Sequence, residues 1–357
     1  MRLTQEQGEL RSAVRSLLTQ HQATSGWVPL TEQIGAAGLA VPEAYGGAGG
    51  GARDMHVLME ELGRSLSPLP CLGSAVLTTG ALLASGDKEA CGRLLPGLAD
   101  GTSVGALAWA EQGSWDQQAI RAAAVPGPGG GHLITGTKEY VLDWPGVDVL
   151  LVAARTPHGV SLFEVAPDAA GVRREPLVTM DETRAQARWV LDGAEGHLLG
   201  VDGDGGRYLE HVRDLACTAL AAEQVGAAER CLELTVEYAG ARVQFGRPIG
   251  SFQAVKHRLA DAYVLVESAR SVALGAAFTA DEDPAALPRA AAVAKSVCSE
   301  AFSAVAGEMI QLHGGIGITW EHDAHRYFKR AHGAGELFGP PAHHRARLAA
   351  GLGLTAH

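Results

Sequence analysis

The sequence predicts a mainly α-helical protein with a β-barrel set into its middle. Three observations carry that expectation. Apolar residues recur at helical spacing over both ends of the chain, short β-type runs crowd the centre, and the longest helical patterns all follow that centre. The expected division is an N-terminal helical domain over 1–103, a central antiparallel β-barrel over 104–202 and a C-terminal four-helix bundle over 206–357.

The elements follow in order. Thr4 and Gln7 have the spacing of a capping box, and Leu10, Val14, Leu17 and Leu18 continue it as a helix over 4–20. A second short helix is expected from Glu32 to Leu39, then a glycine-rich loop over Val41–Gly50 that lacks the spacing of a dinucleotide loop. Further helices are predicted over Asp54–Leu66, Leu72–Leu83 and Glu89–Leu95, the last closed by Pro96 and Gly97. Near Ser103 the texture changes. Gly105–Ala110, His132–Thr135, Glu139–Leu142, Val147–Ala153 and Gly159–Val165 read as strands, and the block ends around Leu198-Leu-Gly200. Asp202–Gly206 reads as a linker. Beyond it come long helices over 207–239, 254–280 and Pro284–Leu312, then shorter ones over Ala324–Gly333 and Pro341–Gly351.

Composition excludes several functions. The chain of 357 residues has a net charge of −11, the wrong sign for a nucleic-acid surface. No apolar run is long enough to span a bilayer, and the polar start, Met1-Arg-Leu-Thr-Gln, shows no signal peptide. Cys71, Cys91, Cys217, Cys231 and Cys298 are scattered without a CxxC pair, which suits reduced thiols in a cytoplasmic, bacterial protein.

Two stretches carry binding chemistry. Arg242-Val-Gln-Phe-Gly-Arg-Pro-Ile-Gly-Ser-Phe-Gln253 lies between two long helices, and Gly246, Pro248 and Gly250 make it a turn. Ser251 is placed to cap the helix that follows. Arg242 and Arg247 present planar forks suited to phosphate, and Phe245 and Phe252 offer faces for a flat ring. A plain helical hairpin with basic decoration would read the same way. The second stretch is Gln311-Leu-His-Gly-Gly-Ile-Gly-Ile-Thr-Trp320, whose glycines let a backbone approach a ligand closely.

Together these stretches resemble the acyl-CoA dehydrogenase family of flavoproteins, and the resemblance covers nearly the whole chain. It implies that Arg242, Gln244, Phe245, Gln311, Gly314 and Gly315 hold the ADP half of an FAD lying mostly in the neighbouring subunit. It implies an acyl-CoA or acyl-carrier thioester as substrate, electron-transfer flavoprotein as acceptor, and a dimer or tetramer. Family members need a base over the thioester Cα and donors on its carbonyl. The usual glutamate position falls on Phe338, and the alternative position on the first long bundle helix falls on Ala216. Neither takes a proton, so no catalytic residue is assigned. Glu336, two positions away, reaches the site only if the loop shifts. The usual Thr-Glu-Pro reads Ala110-Glu111-Gln112, and the usual Trp-x-Thr-Asn reads Tyr140-Val-Leu-Asp143, so the flavin-facing threonine is Leu142. Trp109 and Tyr140 have faces for a ring, or belong to the core.

That asymmetry makes the chain look like the non-catalytic partner of a related, glutamate-bearing subunit. The competing readings are a self-sufficient homomeric enzyme, a flavin monooxygenase on the same fold, and a scaffold without flavin. Elsewhere, His322 and His325 read as a solvated helix face rather than metal ligands, His343 and His344 as surface residues, and Arg184 as an ion-pair member rather than a phosphate contact.

Overall fold

The computed structural model describes residues 2–21, 23–142, 146–354. Five helices come first: α1 Gln5–Gln20, α2 Trp27–Ile34, α3 Ala52–Arg64, α4 Thr79–Ser85 and α5 Lys88–Asp100. The expected capping box starts α1: Gln7 N donates to Thr4 Oγ1 at 3.2 Å and Thr4 N to Gln7 Oε1 at 3.1 Å. A wide-turn π-helical segment, Cys71–Thr78, runs directly into α4. The helix expected over Glu32–Leu39 lies earlier, at Trp27–Ile34. The stop expected at Pro96 is also corrected. α5 runs through it to Asp100 because Leu98 and Ala99 beyond are buried, and their burial outweighs the bond Pro96 cannot donate.

Seven strands form the middle: β1 Gly105–Ala108, β2 Ala123–Pro126, β3 His132–Leu142, β4 Val149–Thr156, β5 Gly159–Val165, β6 Val172–Pro176 and β7 Gln186–Leu199. The order is β1-β4-β2-β3-β7-β5, with β6 on β7 and a further ladder joining β4 to β5. The expectation of a purely antiparallel barrel is corrected to a mixed sheet. β1 runs parallel to β4, with Gly105 opposite Val149, and β2 meets β4 in parallel at Ala123 and Arg155. β1 and the first six residues of β4 are wholly buried, as strands covered on both faces are in parallel pairs. Tyr140 has φ 54° at an irregularity of the β3–β7 ladder between Lys138 and Val141.

The rest is helical: α6 Gly205–Ala241, α7 Gln253–Glu282, α8 Leu287–His313, α9 Ala324–Glu336 and α10 Pro341–Gly351. Three long helices of 37, 30 and 27 residues thus stand with two short ones, the pattern expected from the sequence. α3 and α6 cross with their backbones touching. A Cβ on Gly63 would stand 1.9 Å from Glu223 O, and one on Gly226 would stand 1.8 Å from Glu60 O, so only glycine permits the crossing. At the other end of α3, Asp281 of α7 caps the helix, accepting from Ala52 N at 2.6 Å and Arg53 N at 3.2 Å.

A buried ion cluster ties the sheet to the bundle. Glu223 of α6 accepts from Arg184 Nη2 at 2.6 Å and from Arg330 Nη1 of α9 at 2.9 Å. Arg330 Nε also lies 2.8 Å from Asp181, and its Nη2 donates to Ser67 O at 3.3 Å. Burial pushes the Glu223 carboxyl up, but the two guanidiniums outweigh it and hold it below its ordinary range.

Candidate functional site

The two binding stretches converge at one end of the bundle. α6 ends where Arg242 N donates to Tyr238 O at 2.8 Å. Val243 then pairs with Pro248, and Gln244 with Arg247, in a two-residue antiparallel ribbon. Phe245 and Gly246 form its tip with φ 53° and 79°. Left-handed backbone at both positions is the geometry of a tight hairpin turn, and glycine supplies only one of the two. Phe245 holds the other while 92% exposed, a strained conformation with no burial to justify it. Ser251 does not cap α7. Its hydroxyl donates to Pro248 O at 2.7 Å, and Phe252 precedes the helix with no side-chain cap. The Arg247 guanidinium instead lies 4.0 Å above the Phe252 ring.

α8 ends beside this turn. The Tyr238 ring stacks on His313 at 4.3 Å, and its hydroxyl donates to His313 O at 3.4 Å. Gln311, Gly314 and Gly315 are exposed, and a Cβ on either glycine would meet nothing within 4 Å. Arg242, Gln244 and Arg247 are exposed as well, and among the described residues no ion pair engages either guanidinium. The result is two unneutralised guanidiniums, an amide, an aromatic face and open glycine backbone at one corner. That set suits an anionic ligand with a flat ring.

A different arrangement holds the positions expected for the base. Phe338 follows α9 with φ 62° and is fully buried. Its ring stacks on Trp109 at 5.8 Å and meets Trp115 edge-on at 5.0 Å. Ala216, also fully buried, belongs to the same apolar cluster, as do Trp109 and Leu142. Two buried polar groups fix this corner. His344 Nε2 bonds Phe338 O at 3.1 Å, and burial, then Lys295 and Arg347, lowers its pKa to about 3. The neutral ring therefore donates from Nε2, leaving Nδ1 to face Arg347 Nη1 at 3.4 Å. Lys295 Nζ donates to Gly335 O at 2.7 Å, Ala334 O at 3.2 Å and Ser299 Oγ at 3.1 Å, closing the end of α9. Burial lowers Lys295 to about 8, against smaller opposing effects of Cys217 and Glu336.

Glu336, the last residue of α9, is exposed and lines a cavity of about 420 Å³ with Tyr140, Trp115, Met180, Gln186 and His343. Asp116, which pairs with Arg213, and Asp181, which pairs with Arg330, line it too. Ala110 and Leu142 are buried and offer no hydroxyl, and Asp143 lies outside the described residues. Trp109 is core, whereas Tyr140 is 36% exposed at the cavity wall. Glu111, read in the sequence only as part of a departure, proves to be structural. Buried, it pairs with Lys138 Nζ and accepts from Arg121 N at 2.6 Å and Ala122 N at 3.0 Å. Burial lowers Lys138 to about 8, against the attraction of Glu111.

Sequence reasoning named Arg184 as an ion-pair member, and its bond to Glu223 is that pair. It missed Arg330, Lys295 and Lys138, which are long-range partners with no local spacing to betray them, and the surface reading of His344 is corrected, since its ring is fully buried against Phe338 O. His322 meets His313 at a tilt, ring centres 4.3 Å apart, and His325 meets Trp320 edge-on at 4.6 Å. Among the described residues no group of three or more His, Cys, Asp or Glu side chains is placed to hold a metal, and no helix is long and apolar enough to cross a membrane.

Comparison with known proteins gives concordant matches. Residues 4–102 match the model of the acyl-CoA dehydrogenase N-terminal domain, and residues 203–353 that of its C-terminal domain. The acyl-CoA dehydrogenase IpdE2 of Mycobacterium tuberculosis is 41% identical, over 96% of this chain and 96% of its own. A chain of the ChsE4–ChsE5 complex from Mycobacterium tuberculosis superposes with a TM-score of 0.89 at 30% identity, covering 100% of this chain and 99% of that one. Butyryl-CoA dehydrogenase from Megasphaera elsdenii shares the fold, with a TM-score of 0.91 at 23% identity over 99% of each chain.

Proposed function

As this chain belongs to the acyl-CoA dehydrogenase family of flavoprotein oxidoreductases acting on CH–CH bonds, we propose that it is the non-catalytic subunit of a heteromeric member. The carrying observation is that Phe338 and Ala216, the two positions open to a base, are both fully buried in one closed aromatic and aliphatic core. With a glutamate at neither position, neither side chain can take the α-proton of an acyl thioester.

Its contribution lies at the other end. Arg242 and Arg247 would hold the pyrophosphate of FAD, Phe245 would face a ring, and Gln244, Gln311, Gly314 and Gly315 would bring amides and bare backbone to the ADP half. The rest of that FAD would lie in a glutamate-bearing sister subunit, which would take the acyl-CoA or acyl-carrier thioester. When bound there, FAD supplies the hydride acceptor and passes electrons to an electron-transfer flavoprotein. Tyr263, Val264 and Leu265 are exposed apolar side chains on α7, which supports an assembly of subunits, a tetramer being the expected form. The likeness to a chain of the ChsE4–ChsE5 complex supports pairing with a relative. The division into 1–103, 104–202 and 206–357 is proposed on the same footing.

One observation favours a second reading. Glu336 lines the cavity beside Tyr140, as a base in a self-sufficient homomeric enzyme would. Co-expression with a glutamate-bearing relative and measurement of FAD per chain separates the two. The heteromeric reading expects one flavin for every two chains and little flavin on this chain alone. A yellow, active protein from this chain alone, with one flavin per chain, would overturn it.

A further inference from the structure

The groups offered at the Arg242 corner are exposed, and two stretches far apart in the chain carry them. The side chains that set their spacing face inward. On one side the turn is held at its root. Arg242 N donates to Tyr238 O, and Ile249 N closes the turn on Arg242 O at 2.8 Å. Gly250 then lies against the end of α6, where a Cβ would stand 3.0 Å from Ala239 O. The turn is thus fastened to the residues on either side of Tyr238 and to Tyr238 itself.

On the other side the loop is held at His313. This residue stands between the exposed Gln311 and Gly314, yet is only 3% exposed. Its Nδ1 donates to Met309 O at 2.8 Å, which pins the ring to α8. The chain after Gly314 folds back onto it, since a Cβ on Gly317 would stand 3.0 Å from Ile310 O and 3.2 Å from His313 Cβ. Tyr238 closes the link. Its half-buried ring lies nearly parallel to that of His313, at 22°, with the hydroxyl on His313 O. One stacked pair therefore joins the root of the turn to the loop, and neither ring belongs to the exposed set.

We propose that Tyr238 and His313 are positioning residues for the ADP half of the FAD site, their stacked rings fixing the Arg242 turn and the Gln311–Gly315 loop at one spacing so that both engage a single FAD. Groups held in register before the ligand arrives lose less freedom on binding it, so the stack acts on affinity without touching the cofactor. The inference rests on the FAD reading of this corner.

FAD, titrated by its fluorescence into the flavin-stripped assembly that this chain forms, tests it. Arg242→Ala should weaken FAD roughly tenfold or more, the loss of a charge-assisted contact. Tyr238→Leu should weaken it roughly two- to tenfold, the worth of an aromatic pair. Tyr238→Phe, which keeps the ring and gives up one long hydrogen bond, should bind within about twofold of the native protein. In the double variant of Tyr238→Leu with Arg242→Ala the loss should fall short of the product of the single losses, because a turn without its guanidinium gains little from being held in register. A role in stability alone would lower the melting temperature and leave the losses to multiply. His313→Gln removes the other ring and should repeat the loss, so the test survives if Tyr238→Leu fails to fold. No FAD bound, or no loss in Arg242→Ala, sinks the FAD reading of the corner. A loss in Arg242→Ala with native affinity in Tyr238→Leu, or losses that simply multiply, overturns the positioning role and leaves that reading standing.

Discussion

Two corners of this molecule are built on opposite terms. The Arg242–Phe252 turn and the Gln311–Gly315 loop put their guanidiniums, amides and a strained, exposed Phe245 into solvent, satisfied by little within the chain. The Phe338 corner does the reverse, with stacked rings, a neutral buried His344 and a buried Lys295 filling every role from inside. Groups left unsatisfied at a surface await a partner, whereas groups satisfied in a core hold shape. The difference teaches that one chain can leave a charged corner open to solvent while sealing an aromatic corner from it.

The largest effect should come from testing that division by catalysis. General-base catalysis contributes about 10²–10⁴-fold, so this chain alone should oxidise acyl-CoA more slowly than the paired assembly by about that factor. Activity with an artificial acceptor should appear on adding the partner and survive Glu336→Gln in this chain. Robust turnover by the single chain, lost in Glu336→Gln, would break the comparison and make Glu336 the base.

Stability should track the sealed side. Arg330→Met leaves Asp181 and part of Glu223 buried without their cation, and breaking a buried pair costs about 3–5 kcal/mol. Urea unfolding should show a loss of that size. An unchanged midpoint would mean that the cluster holds nothing together.

Acid should find the same side. Burial lowers His344 to about 3 and His56 to about 4. In the unfolded chain both rings take a proton near the ordinary value of about 6.5. Between about 6.5 and 4 the unfolded chain therefore binds protons that the native one refuses, and stability falls as pH drops through that window. Each unit of separation is worth about 1.4 kcal/mol. Melting temperatures followed from pH 7 to 4 should fall less steeply for His344→Asn; an identical slope would show that His344 titrates freely.

The open side should respond in binding and not in folding. Arg242→Ala should lower FAD retention in the assembly by roughly 1.5–3 kcal/mol for each hydrogen bond lost, with the melting temperature of the isolated chain unchanged. Full retention through dialysis would make the turn merely structural. Smallest of all, Ser251→Ala should cost well under the roughly 1 kcal/mol of a true helix cap, since its hydroxyl caps nothing. A full-sized loss in thermal denaturation would restore the capping role.

Much of this was legible in the residues. The long helices after Asp204 announced themselves by period, and the ends of α10 and β5 agree with their sequence reading. The sheet was harder. β6, with Arg173 and Arg174, has too much charge to read as a strand, and β7 alternates so many polar residues that only its end stood out. Strand direction was invisible, although the unbroken apolar run of β4 held the signal for burial on both faces. Phe338 and Ala216 were found by position, but that both would be walled into one core was not, because Lys295 and His344 reach them from other helices.

The Glu223 cluster has a consequence for how the chain is made. Its four contributors span residues 181 to 330, so the ribosome releases Asp181 and Glu223 well before the guanidinium that joins them. Until Arg330 emerges, the sheet and α6 hold buried carboxylates incompletely matched, and Ser67 O lacks the donor that anchors the end of α3. Synthesis must therefore be nearly finished before the layers can lock, and a nascent chain stalled short of α9 would present an open, charge-unbalanced seam to chaperones.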